Sequence, residues 1–177
     1  MVLSRVVVTA LPLVGCQGSP APAPMPRTVI EVVDASQAVI ARVVPGHPCR
    51  ATVDGVEMLV GAAPLVAQVG ADRWTGEAAE HGTTLAKNGR VVARLHAGQL
   101  FDPDGIPIIR VLETGEIADK ANTVLRTAKP GTNSVQIGDV TVTGTSDITL
   151  AAMLTARETV PEVRALAACQ SLFTKQP

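Results

Sequence analysis

Aromatic residues are almost missing from this chain: one Trp, two Phe and no Tyr supply 2% of its 177 residues. Stacking platforms for bases or sugar rings are therefore scarce, and aliphatic side chains must fill the interior. An excess of basic charge is lacking too. Fifteen Lys and Arg stand against sixteen Asp and Glu, a net charge of −1, far from the cationic footprint that phosphate neutralisation demands. Nucleic acid is set aside as a partner. The amino-terminal apolar run, Val6 to Gly15, covers ten residues, where a permanent membrane helix needs about 20. No Gly-x-Ser-x-Gly, phosphate-cradling Gly-rich loop, CxxC or HxxxH occurs, so the local signatures of acyl transfer, nucleotide binding and structural zinc are absent, and no cofactor or metal is expected.

What is present is β-hairpin chemistry, in a length that suits one domain. Gly98 to Val111 has Asp102-Pro103-Asp104-Gly105 at its centre. Proline presets φ for the first corner of a type I turn, and glycine takes the left-handed position that closes a three-residue hairpin loop. An aspartate or small residue followed eight residues later by arginine recurs: Asp34 and Arg42, Ala86 and Arg94, Asp102 and Arg110, with Asp119 and Arg126 at a spacing of seven. A weaker copy runs from Val60 to Gln68, and the longer steps leave inserts at 44–55 and 70–81. The pattern predicts a mainly β (α+β) fold, an antiparallel meander of repeated hairpins over about 28–144.

Counting outward from the turns sets Leu100 opposite Ile108, Gly98 opposite Arg110, Thr84 opposite Val92, Gly82 opposite Arg94 and Glu116 opposite Arg126. The face expected to be buried carries Val33, Val39, Ala41, Val43, Leu85, Val91, Ala93, Leu95, Phe101, Ile109 and Val111. On the other face Arg42, Arg94, Arg110 and Arg126 form a row that could meet an anionic envelope component; a solvated face with local acidic partners is the expectation.

Helical period takes over at the carboxyl end. Thr145-Ser146-Asp147 supplies amino-terminal caps for a run with Ile148, Leu150, Ala151 and Leu154. Thr159-Val160-Pro161-Glu162 has capping-box spacing before Val163, Leu166, Ala167, Cys169, Leu172 and Phe173. A pair of short helices within about 147–173 is expected to pack on the sheet. Trp74, in the second insert, is expected to plug the core edge, with a contact role as the alternative.

Arg5 followed by the apolar run and Leu13-Val14-Gly15-Cys16 resembles the signal peptide and lipobox of bacterial lipoproteins. The resemblance covers the first sixteen residues and implies cleavage after Gly15, acylation of Cys16 and a mature chain of 162 residues. Gln17 stands where lipoproteins of this kind kept at the inner membrane carry Asp, which implies an outer-membrane anchor facing the periplasm. Residues 16–27 then read as a proline-rich tether, and 28–177 as a single β-rich domain. With Cys16 acylated in an oxidising compartment, Cys49 and Cys169 are left to pair. A metal site built on His47, Cys49 and Cys169 is the competing use of those residues, short of the four ligands zinc prefers.

These features point to a lipid-anchored structural or interaction module without catalysis, whose partners are the membrane, through its lipid, and an envelope protein or polymer. A small periplasmic hydrolase or transferase would need two or more of His81, His96, Asp72 and Glu77 to converge in one cleft. A carrier of apolar ligands would need a barrel with an unfilled cavity. Intact mass after membrane extraction should show acylated Cys16 and loss of residues 1–15; an unprocessed soluble chain would remove the export reading.

Overall fold

The computed structural model describes residues 28–174; the export segment 1–15, Cys16 and the tether 16–27 lie outside the described residues. The strands are β1 (Ile30–Val33), β2 (Val39–Val44), β3 (Cys49–Val53), β4 (Val56–Ala62), β5 (Leu65–Val69), β6 (Asp72–Ala79) and β7 (Gly82–Lys87). They continue with β8 (Arg90–His96), β9 (Gln99–Phe101), β10 (Pro107–Val111), β11 (Glu116–Ala118), β12 (Val124–Pro130), β13 (Ser134–Ile137) and β14 (Val140–Thr143). Helices α1 (Ile148–Thr155) and α2 (Pro161–Thr174) follow. Each strand pairs antiparallel with its chain neighbours, and β1 pairs with β14 through Val32 and Val142, so the meander closes into a barrel. Closure leaves no free sheet edge among the described residues.

Among the described residues the hairpins number seven where five were expected, and their spacing is more regular. Successive odd strands begin 19, 16, 17, 17, 17 and 18 residues apart. The supposed inserts are strands β3 and β6, and the weak copy at 60–68 is out of phase, its turn at Ala63-Pro64 falling at the opposite end of the barrel. We call the end bearing the turns within hairpins β1–β2, β3–β4 and so on the far end, and the end where one hairpin passes to the next the near end. Three far-end turns are copies of one another. Asp34 accepts from the amides of Ser36 and Ala38, Asp102 from those of Asp104 and Ile106, and Asp119 from those of Ala121 and Thr123. The fourth residue of each turn, Gln37, Asn122 or Gly105, has positive φ, a conformation that Asn and Gly adopt at least cost. Asp54-Gly55 and Asn88-Gly89 have positive φ at both residues, the condition for two-residue type I′ hairpins.

A β-bulge just after the turn corrects the counted register. Ile40, Val92, Ile108 and Leu125 are each an extra residue with no partner across the hairpin. Leu100 consequently faces Ile109, and Thr84 faces Arg94. Gly82 faces Ala79 and Gly98 sits in the near-end turn with Ala97, so neither glycine lies under an arginine. Arg126 faces Ile117 and not Glu116. The same slip turns Val39 outward, 53% exposed, while Val33, Val91, Phe101 and Val111 are half-buried and the other members of the expected face are buried. One residue of slip exchanges the two faces of a strand.

The inward faces and both helices form one apolar cluster. Residues 150–156 of α1 and its end, and 163–169 of α2, are buried without interruption, which requires surroundings on every side. The helices therefore pack on the sheet from inside the ring, rather than covering it from outside. Asp147 caps α1, accepting from the Thr149 and Leu150 amides at 2.9 and 3.2 Å, and α2 starts at Pro161. Cys49 of β3 is bonded to Cys169 of α2, a sequence separation of 120; in the chain-entropy picture such a link stabilises by roughly 4 to 5 kcal/mol.

Closure is exposed to one small substitution. Gly144, at φ +82°, leaves no room for a side chain, because a Cβ would sit on the Val29 carbonyl beside the β1–β14 seam. Gly138, at φ +60°, faces open space. Gly144→Ala should cost more than about 3 kcal/mol in denaturant unfolding, against about 1 kcal/mol for Gly138→Ala; equal losses would mean the seam is not under this constraint.

Candidate functional site

The bulge has a chemical consequence at Arg126. Ala41, Ala93 and Ile109 each come one residue after a bulge and point into the core. Arg126 comes one residue after Leu125 and takes the same inward place, whereas Arg42, Arg94 and Arg110 come two residues after theirs and turn outward. The spacing of seven instead of eight is the sequence signature of that difference. Inside, Arg126 Nη1 donates to the Thr155 carbonyl at 2.7 Å and Nη2 pairs with Glu158. Arg164 of α2 donates from Nη1 to the Leu154 carbonyl at 3.3 Å and pairs through Nη2 with Asp54 of the β3–β4 turn. Two guanidiniums thus meet the carbonyl end of α1, where orphan acceptors and the negative helix-dipole end favour cations.

A cleft of about 70 Å³ opens at this far end, lined by Asp54, Arg126, Asp139, Arg157 and Arg164 together with apolar residues. Arg164 is only 4% exposed, and its Nε has no partner among the described residues. Arg157 and Arg164 were not singled out in the sequence. Arg157 lies in the break between helices. Arg164 sits within an apolar helical run whose full burial depends on the ring around it.

The expected arginine row is not a stripe. Arg42 pairs with Glu31 at 3.4 Å, and Arg94 Nε donates to the Pro103 carbonyl at 3.2 Å. Arg110 faces Ala118, and its buried Nε has no partner among the described residues. Trp74 lies in strand β6 and not in a loop; it is 2% exposed, with Lys87 Nζ 5.5 Å from its ring centre. The disulfide uses the sulfurs that the alternative metal site required, His47 stacks on Phe173 at 5.2 Å, and no metal-holding group of His, Cys, Asp and Glu occurs among the described residues.

His81 and His96 do converge. Their rings meet edge to face at 6.1 Å and line one open cleft, with Glu80 3.9 Å from His81. Asp72 and Glu77 do not join them. Asp72 is held by Lys87 at 2.6 Å and by the Asn88 amide at 2.8 Å, while Glu77 faces Thr84 and lines a different cleft. No family model, curated protein or solved structure matches this chain.

The hydrogen bonds from Lys87 and then Asn88 hold the Asp72 carboxyl below its ordinary 3.8, and the same contact raises Lys87 above 10.5. The depressed carboxyl contributes stability above 3.8 that is lost as pH falls through the lowered value; the raised ammonium contributes below 10.5 and is lost as pH climbs past its raised value. NMR titration should find Asp72 below 3.8, returning towards 3.8 in Lys87→Met. A carboxyl titrating above that value would make Asp72 a candidate general acid.

Proposed function

We propose that this chain is a lipid-anchored extracytoplasmic module, carried on the outer membrane facing the periplasm, which acts by structure or interaction and not by catalysis. The observation that carries the reading is the placement of the described chain ends. The chain enters β1 at the near end; α2 runs from Asp54 at the far end to Cys49 at the near end. A tether reaching Thr28 joins the near end, leaving the far-end turns, the helix connector and the arginine cleft turned away from the anchor. Val39, Ile106, Val124, Leu125 and Val160, all exposed, follow far-end turns or lie in that connector. The packed helical interior favours this reading over a carrier of apolar ligands, which needs room inside the barrel.

The pairing of His81 with His96 favours a hydrolase or transferase as the second reading, since two imidazoles in one cleft can share acid and base roles. Both stand open to solvent, His81 with 78% of its side chain exposed, where nothing excludes water from a reaction.

In-cell photo-cross-linking separates the far end from the near end. A photoreactive residue at Leu125 should give adducts to an envelope protein or polymer, and one at the near-end residue Leu112 should not. Adducts from Leu112 alone would overturn far-end display; loss of turnover in His81→Ala against generic ester or glycoside substrates would favour the enzyme.

A further inference from the structure

The far-end cleft holds more donors than its own acceptors use. Arg164 engages two of its three guanidinium nitrogens, Nη1 on the Leu154 carbonyl and Nη2 on Asp54, and the third nitrogen, the buried Nε, has no partner among the described residues. A buried charged group with an unsatisfied donor is costly, so an acceptor delivered into the cleft is favoured. Arg157 lines the same cleft from the exposed connector.

We propose that this cleft binds one carboxylate group borne on a small aliphatic molecule or chain end. Volume permits this, since the cleft of about 70 Å³ has room for a carboxylate with a small substituent. Charge sets the limit. Arg126 is matched by Glu158 and Arg164 by Asp54, which leaves Arg157, beside Asp139, as the lining cation with no ion pair among the described residues. Asp139 and the carbonyl end of α1 repel a second negative charge, which favours a monoanion over a phosphate dianion. Ile40, Ile137 and Val140 form the apolar part of the wall, where a methyl-sized substituent next to the carboxylate gains burial. Arg157 and Arg164 Nε supply the charge-assisted hydrogen bonds. This assignment stands whether or not the chain is lipid-anchored.

The test is an NMR titration of the full-length ¹⁵N-labelled chain, reading arginine Nε–H signals while N-acetylalanine, N-acetylalaninamide or inorganic phosphate is added. N-acetylalanine should shift the Arg164 and Arg157 signals saturably, the amide should leave them in place, and phosphate should bind more weakly. Arg157→Gln, an exposed change that spares the Arg164–Asp54 pair, should weaken N-acetylalanine binding about tenfold, the size of one charge-assisted hydrogen bond. Absence of a saturable shift, an equal response to the amide, tighter phosphate binding, or unchanged affinity in Arg157→Gln would each overturn the assignment.

Discussion

Everything in this molecule depends on the mutual fit between a closed ring of strands and the two helices inside it. Fourteen strands enclose more space than their own side chains fill, because barrel diameter grows with strand number. The helices supply the missing volume, and the ring supplies the surroundings that make seven consecutive buried positions tolerable in each helical segment. Neither part has a satisfied surface alone. Each fully buried Leu, Ile or Val adds roughly 1.5 to 3 kcal/mol, a gain realised only when the β1–β14 seam shuts and α1 and α2 are in place.

Two devices hold the insert in register. Near one end of α2 the link is covalent, from Cys169 to Cys49. Near the other it is ionic, from Arg164 to Asp54, with Arg126 completing the neutralisation of the α1 carbonyl end. Arg164 is buried but the Asp54 side chain stands 46% exposed, so water screens the pair from one side, while loss of Asp54 would leave the buried guanidinium with one acceptor fewer. The ionic end specifies where the helix sits as much as how firmly it is held.

Much of the fold was legible because turn chemistry is local. Asp102-Pro103-Asp104-Gly105 identifies its loop within four residues, and Asp147 and Pro161 mark the helix starts. The full count of hairpins was hidden because those at Asp54, Gly70 and Gly138 lack the arginine that made the other copies recognisable. The register was misread because a bulge residue such as Ile40 or Val92 looks like any other strand residue, and nothing local announces that it has no partner. The candidate site was largely illegible for the same reason: Arg126 points inward through the parity set by Leu125, and Arg164 is a core residue only because a ring closes around it. The clue that was available, a spacing of seven where the other copies have eight, acquires meaning once the bulge is known.

That bulge gives the barrel an unusual mutational coordinate. In most proteins a residue moves between surface and interior by changing its identity; here it can do so by changing its count. Losing one residue between a far-end turn and its arginine moves a guanidinium from the solvent side of the wall to the helix side, and turns the residues that follow it in the strand to their opposite faces as well. Insertions and deletions, ordinarily confined to loop length, thereby become a means of installing or withdrawing charge at the inner wall, one hairpin at a time.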